Sequence, residues 1–315
     1  MILGGDVGGT KTNLALCDDH GTPVREATFA AKDYDSLEAM VRQFVASERV
    51  TAACFGVAGP VTGSAGRGTA KITNLPWTIR VDALASELGG ARVSLLNDLQ
   101  ATALGALVIP ESSFATLQHG AVPERATIGV IAPGTGLGEA TLVHDGHAYQ
   151  ALPSEGGHAD FAPTTEEQLE LWRTLNARYD GHVSVERVLS GNGIADLYTF
   201  AAKGGTRTWP GDPNAAIAEA GLAGSDPAAV HALELFAEIL GAEAGNLALR
   251  TMAVGGVVIG GGIPPKILPV LQRGPLLERF AAKGRFAHWL RTLSVRVVLD
   301  SKAALLGAAH HAANL

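Results

Sequence analysis

Several short stretches of this chain set glycine beside a carboxylate, an imidazole or a hydroxyl, the groups that grip phosphates and sugar-like polyols. The first is Gly4-Gly5-Asp6-Val7-Gly8-Gly9-Thr10-Lys11-Thr12. Phosphate oxygens need backbone N–H donors at close range, and glycine permits that approach. A Walker P-loop is excluded, because Thr10 stands where lysine is required. Asp6 beside such a turn can hold Mg²⁺ through water. The competing reading is a tight hairpin in which glycine only supplies a positive φ. The second stretch is Gly134-Thr135-Gly136-Leu137-Gly138, whose spacing fails the dinucleotide fingerprint. The third, Gly260-Gly261-Gly262, follows an apolar strand and precedes a helix expected near Pro264. Backbone there can approach a flat adenine or ribose, and a plain strand-to-helix turn explains it equally.

Carboxylates supply the remaining chemistry. Asn97-Asp98 falls where an apolar strand ends and a helix begins, the end of an α/β sheet that receives ligands. Asp98 there is either a helix N-cap or a proton acceptor, and a helix N-terminus keeps it ionised for the second role. Glu155-Gly156-Gly157-His158-Ala159-Asp160 gathers polar side chains around two glycines. A carboxylate can accept hydrogen bonds from two vicinal hydroxyls, whereas the default for such a stretch is a solvated loop. A metal site is disfavoured, with no H-E-x-x-H helix and no cysteine partner. Glu186 reads as a solvated helix residue, and His310 and His311 as surface residues of the tail. No G-x-S-x-G nucleophile elbow occurs.

These residues need rigid elements to hold them. Ile2–Val7, Thr12–Cys17 and a run near Val24–Ala31 read as strands, as do Thr51–Val57 and Val93–Leu96. Leu37, Met40, Val41, Phe44 and Val45 form one helical stripe, with Asp35 and Glu38 as its capping box. A helix is expected from about Gln100 to Leu107. A second block repeats the opening: strand Ala126–Ala132, a Gly-Thr turn, then strand Ala140–Val143. Helical patterns fill Thr165 to Arg250, broken by an exposed loop over 204–214. Strands at Gly256–Ile259 and Val295–Leu299 and a helical tail, Lys302–Ala313, complete the pattern. Strands alternating with helices imply an α/β fold.

Composition narrows the class. The chain has 315 residues, 47% hydrophobic and 17% charged. That suits two domains with large cores and not a disordered chain. Its 24 basic and 31 acidic residues give a net charge of −7, which argues against a nucleic-acid surface. Cys17 and Cys54 are the only cysteines, too few for a disulfide framework. Two thiols and no export signal fit a cytoplasmic location. The most apolar stretch, Thr251 to Ile263, is too short and glycine-rich to span a membrane.

In order and type, Gly5 to Thr10, Leu96-Asn97-Asp98, Gly134 to Gly138, Glu155-Gly156-Gly157-His158, Glu186 to Gly191 and Gly260 to Ile263 resemble the motifs of bacterial ATP-dependent glucokinases. The resemblance runs from Gly4 to about His310. It implies the two-domain α/β fold of actin-like ATPases (ribonuclease H-like) and sugar kinases, with a cleft between the domains. The small domain would hold residues 1–108 and the C-terminal helix 301–315, and the large domain residues 109–300. Gly5, Asp6, Val7, Gly8, Gly9 and Thr10, with Gly134, Thr135 and Gly136, would be the phosphate turns. Gly260, Gly261 and Gly262 would border the adenosine. Asn97, Asp98, Glu155, His158 and Glu186 would bind the hexose, with Asp98 taking the proton from the C6 hydroxyl. ATP, Mg²⁺ and glucose are then the implied ligands, and a homodimer the implied assembly. Phe161-Ala162-Pro163 follows His158 with no cysteine, so the zinc motif of the related repressor and kinase group is missing and no structural zinc is expected. Two alternatives stand beside this one. The first is a kinase for another hexose or an N-acetylated amino sugar. The second is a non-catalytic sugar sensor, against which the phosphate turn at residue 4 leaves no room for a DNA-reading head.

Overall fold

Strand β1 (Ile2–Val7) and strand β2 (Lys11–Cys17) pair antiparallel, and β3 (Pro23–Ala30) continues on the β2 side. These and all later statements come from a computed structural model that describes residues 1–63, 67–72, 75–205 and 207–315. Residue 206 of the 204–214 loop lies outside the described residues. Strand β4 (Ala52–Val57) lies parallel to β1, and all six of its residues are buried. A continuous apolar run, Ala-Ala-Cys-Phe-Gly-Val, is what a strand covered on both faces requires. Three short strands, β5 (Val61–Thr62), β6 (Thr69–Lys71) and β7 (Thr78–Arg80), make a separate small sheet. Strand β8 (Arg92–Asn97) then completes the order β3-β2-β1-β4-β8.

The stripe read from the sequence is the helix Leu37–Val45, and it buries Leu37, Met40, Val41, Phe44 and Val45. Its cap is not Asp35. Ser36 has the extended backbone of an N-cap, and its hydroxyl accepts from the Ala39 N–H at 3.2 Å. The other face of the sheet carries the helices Asp98–Gly105 and Ala303–Ala313. These two approach so closely that a Cβ at Gly307 would stand 1.9 Å from the Ala101 carbonyl oxygen. A Cβ at Gly105 would stand 1.9 Å from that of Ala303. The alanine-rich tail is therefore core: Ala303, Leu305, Ala308, Ala309 and Ala312 are buried. His310 and His311, expected on the surface, are half-buried, and burial lowers the pKa of both.

A second sheet follows. Strand β9 (Phe114–Gln118), β10 (Ile128–Pro133), β11 (Leu137–His144), β12 (Tyr149–Ser154), β13 (Val257–Ile259) and β14 (Val295–Val298) appear in that sequence order. In space β11, β10, β13, β14 and β9 are consecutive. The run β11-β10-β13-β14 repeats the pairing logic of β2-β1-β4-β8: an antiparallel hairpin, then parallel neighbours. Helices Glu166–Arg178, Gly191–Ala201, Pro213–Ala223 and Pro227–Thr251 fill the middle of the chain. The last, 25 residues long, starts with Asp226 accepting from the N–H groups of Ala228 and Ala229 and with proline in its first turn. It buries Leu233, Phe236 and Leu240 in a core with Ile131, Ile259 and Val297. No helix starts at Pro264. Bends and turns fill the segment up to Leu268, where a short helix, Leu268–Leu271, begins. Pro265 disfavours helical backbone at the preceding Pro264, which leaves this stretch as turn.

The chain thus divides into two compact units. One comprises Met1–Ser113, Tyr149–Pro153 and Asp300–Leu315, and the other Phe114–Ala148 and Ser154–Leu299. Among the described residues no helix is long and apolar enough to cross a membrane.

The Gly307 contact leaves no volume for a side chain. Gly307→Val is expected to cost about 1–3 kcal/mol of stability through overpacking. Urea unfolding would show this as a lower midpoint with unchanged slope.

Candidate active site

Asp6 ends a row that crosses three strands. It sits opposite Asn13 in the β1–β2 register, and Asn13 sits opposite Thr28 on β3. Asn13 Nδ2 donates to Asp6 Oδ2 at 3.0 Å, and Thr28 Oγ donates to Asn13 Oδ1 at 2.9 Å. The amide is thereby fixed in one orientation, and it fixes the carboxylate. Desolvation raises the pKa of Asp6, while the Asn13 amide and Lys11 oppose that rise. In the turn beyond, Gly8 N–H donates to the Lys11 carbonyl at 3.0 Å and Ala31 N–H to that of Thr10 at 2.9 Å. The turn does join an antiparallel hairpin, but neither Gly8 nor Gly9 has a positive φ, so glycine is not there to supply one. Their small size, not their handedness, is what the turn uses.

Asp98 is the first residue of its helix, and Asn97 is the cap. The Asn97 Oδ1 accepts from Gln100 N–H at 2.6 Å, and Gln100 Oε1 accepts in return from Asn97 N–H at 3.2 Å. This reciprocal box relieves Asp98 of capping, and its Oδ1 instead accepts from Leu99 N–H at 2.9 Å. The Gln100 Nε2 reaches the Ala151 carbonyl at 2.7 Å and ties the helix start to that segment. The side chain of Asp98 is open to solvent, yet surrounding protein desolvates its carboxyl and raises its pKa. The Leu99 N–H opposes the rise, and the Asp6 carboxylate adds to it.

In the second unit the turn at 134–136 is a narrow hairpin, with Gly134 N–H donating to the Gly136 carbonyl at 2.8 Å. Two other loops converge on it. Gly191 N–H donates to the Gly134 carbonyl at 2.9 Å, and Gly260 N–H to that of Ile131 at 2.8 Å. Gly261 has φ +87°, and a Cβ there would stand 2.3 Å from the Pro133 carbonyl oxygen. Only glycine satisfies both demands. These loops frame a cavity of about 310 Å³ whose walls include Gly134, Thr135, Asn192, Asp212, Gly262 and Lys266. Asn192, Asp212 and Lys266 were not singled out in the sequence. A partial signal for the first was present: Ser190 followed by Gly-Asn-Gly reads as a capped, open helix start, and Ser190 Oγ does accept from Gly193 N–H at 3.1 Å.

Glu155 and His158 flank a single turn of 3-10 helix, Gly156–His158, with both side chains exposed and 3.8 Å apart. The segment after it pairs with the one carrying Glu186. Val185 N–H donates to the Ala159 carbonyl at 2.9 Å, and Phe161 N–H to that of Val183 at 2.8 Å. Glu186 is not the solvated helix residue expected. It lies in a short 3-10 turn, half-buried, and its Oε2 accepts from Leu137 N–H at 2.9 Å. A carboxylate is thus anchored at the start of β11, beside the glycine turn. The two thiols lie elsewhere, buried, with pKa values pushed up by desolvation, so neither is poised as a nucleophile.

The family model for glucokinase matches residues 3–315. This chain belongs to the glucokinase family. It is 40% identical to a glucokinase of a Nostoc species over 100% of this chain and 99% of that one. It is 38% identical to a glucokinase of Trichormus variabilis, with the same coverage. Among solved structures, a glucokinase from an Antarctic psychrotroph superposes with a TM-score of 0.89 at 31% identity, covering 100% of this chain and 99% of that one. The fold is that of the actin-like sugar kinases, as the family membership and this superposition require.

The cap geometry gives Asn97 a structural role that can be measured by itself. Asn97→Ala is expected to cost about 1 kcal/mol through the lost cap, and Asn97→Ser to cost far less. Thermal unfolding of the two variants would show the difference.

Proposed function

We propose that this chain transfers the γ-phosphoryl group of ATP to the C6 hydroxyl of D-glucose, giving glucose 6-phosphate and ADP. The full-length family match carries that reading. In-line transfer asks little covalent chemistry of the protein and depends on positioning and charge neutralisation.

The cavity beside Gly260–Gly262 would seat the adenosine. The Gly134 N–H is already spent inside its turn, which leaves those of Thr135 and Gly136 for phosphate oxygens. Gly5 to Thr10 would cradle the phosphates from the other turn. Asn97, Glu155, His158 and Glu186 would hold the sugar hydroxyls. The Asn97 Nδ2 and the second Glu186 oxygen remain for that purpose, because each partner atom is engaged within the fold. Asp98 would accept the C6 hydroxyl proton. Its Oδ1 is oriented by the Leu99 N–H, and the helix N-terminus favours its ionised form.

Mg²⁺ fits the donor set. It is commonly held by one or two carboxylates together with waters and substrate phosphates. Asp6 offers one fixed carboxylate, and no cluster of three metal-ligating side chains occurs among the described residues. The ion would neutralise charge building on the phosphate oxygens. Asp6 would hold it in place, with Asn13 and Thr28 fixing the carboxylate.

Purified protein with Mg-ATP is expected to release ADP only when glucose is present. Equal release with another hexose or an N-acetylated amino sugar would change the substrate, and no sugar-dependent release would favour a sensor. Asp98→Asn is expected to lower kcat by roughly 10²–10⁴-fold with the fold retained. A general base works deprotonated, so kcat/KM falls as pH drops through the Asp98 pKa, which lies above the ordinary aspartate value. Gly261→Ala is expected to raise the KM for ATP by about tenfold or more while leaving glucose affinity near normal.

A further inference from the structure

Beneath the Glu155–His158 turn lies a carboxyl group to which none of these roles falls. Glu139, on β11, is 2% exposed, and its Oε1 makes no hydrogen bond. Its Oε2 is 3.6 Å from the Arg250 guanidinium. That guanidinium is already bonded to Glu243, itself 6% exposed. Asn246 Nδ2 donates to Glu243 at 2.9 Å, and Lys283 donates to Asn246 at 2.6 Å. The charged groups facing Glu139 are therefore Glu243 and Arg250 on the long helix, with Lys283 behind Asn246; the turn on its other side carries Glu155 and His158, whose side chains are exposed. One cation, the partly exposed Arg250, serves two buried carboxyls at close range, and both cannot ionise there without cost.

On its other side Glu139 touches the turn. A Cβ at Gly156 would fall 2.1 Å from Glu139 Oε2, and a Cβ at Gly157 would fall 2.2 Å from the Leu137 carbonyl oxygen. The two glycines lie flat on consecutive inward positions of β11, so whatever moves Glu139 moves the turn.

We propose that Glu139 is a positioning residue for the sugar: in its neutral form it supports Gly156 from below, and thereby places Glu155 and His158. The role rests on the reading above that these two side chains bind the hexose. Desolvation and the Glu243 carboxylate push the Glu139 pKa up to about 7, against the pull of Arg250. As pH rises through that range Glu139 gains a charge that must share Arg250 with Glu243, and the turn loosens.

Glucose binding without nucleotide, followed by calorimetry from about pH 6 to about pH 9, tests this in the wild type and in Glu139→Gln. The glutamine keeps the shape and stays neutral. The wild-type dissociation constant is expected to rise by about tenfold across this range, and that of Glu139→Gln to stay near the wild-type value at the acid end. Every other ionisable group is common to both proteins, so the difference between the profiles is the readout. Superimposed profiles, or weak binding by Glu139→Gln already at low pH, would overturn the proposal. No glucose binding by the wild type at any pH counts against the sugar reading alone. Amide exchange at His158 and Ala159, corrected for intrinsic rate, then decides the role of Glu139. Protection lost with rising pH only in the wild type supports it, and equal loss refutes it. If Glu139→Gln does not fold, Gly156→Ala and its combination with Glu139→Ala take its place. The single variant is expected to lose turn protection and the double variant to recover it. Failure of the double to recover would overturn the proposal.

Discussion

In the first unit one face of the main sheet depends on two helices whose backbones meet at Gly105 and Gly307. The carbonyls of Ala101 and Ala303 occupy the space that side chains at positions 307 and 105 would need. Backbone contact of this kind depends on small residues, and the last helix supplies them: Ala303, Gly307, Ala308, Ala309 and Ala312. The same helix presses on β1, where a Cβ at Gly4 would come 2.9 Å from that of Ala309. Asp98 begins one of these helices and Asp6 lies near the end of β1. The two carboxylates are thus fixed by one packed layer, close enough for Asp6 to raise the pKa of Asp98. Rigid elements hold a reacting group more accurately than loops can.

In the second unit β11 plays the corresponding part. Its first residue receives the Glu186 carboxylate, its inward positions carry the 155–158 turn, and the hairpin that precedes it forms one wall of the cavity. Glycine turns, carboxylate and imidazole are tied to the same strand, so a change in register there would disturb all of them together. The antiparallel pairing of Ile128–Pro133 with Leu137–Leu142 fixes that register.

Much of this was legible from local pattern. The strands at both Gly-Thr turns, the stripe Leu37 to Val45 and the strand-to-helix step at Asn97-Asp98 follow from short-range periodicity and turn chemistry, and each formed. What failed depended either on a choice between adjacent capping residues or on partners distant in sequence. Ser36 and Asp35 are both acceptable caps on paper, and backbone geometry selected Ser36. Asn97 and Asp98 compete in the same way, and Gln100, three residues beyond Asn97, closes the box with Asn97. Glu186 looked solvated because its partner, Leu137 N–H, lies 49 residues away. His310 and His311 looked exposed because the alanine-rich tail gives no amphipathic signal; small residues there mark a close crossing and not a bare surface. Glu139 drew no notice, since a single acidic residue in a strand usually points to water.

The path of the chain has a kinetic side. The first unit is left at Ser113 and completed only from Asp300 onward, so its covering helix is made after the whole second unit. Joining such distant pieces in an unfolded chain would carry a loop-closure cost of about 4–5 kcal/mol for nearly two hundred intervening residues. The second unit removes most of that cost by folding. Its strands β9 and β14 pair antiparallel, with Phe114 opposite Val298, so the exit and re-entry points of the insertion come to lie one strand spacing apart. On the ribosome the inserted unit can mature first, while one face of the sheet β3-β2-β1-β4-β8 waits with only the helix Asp98–Gly105 upon it. The part of that face still awaiting the last helix leaves apolar surface open to aggregation while the chain is being made.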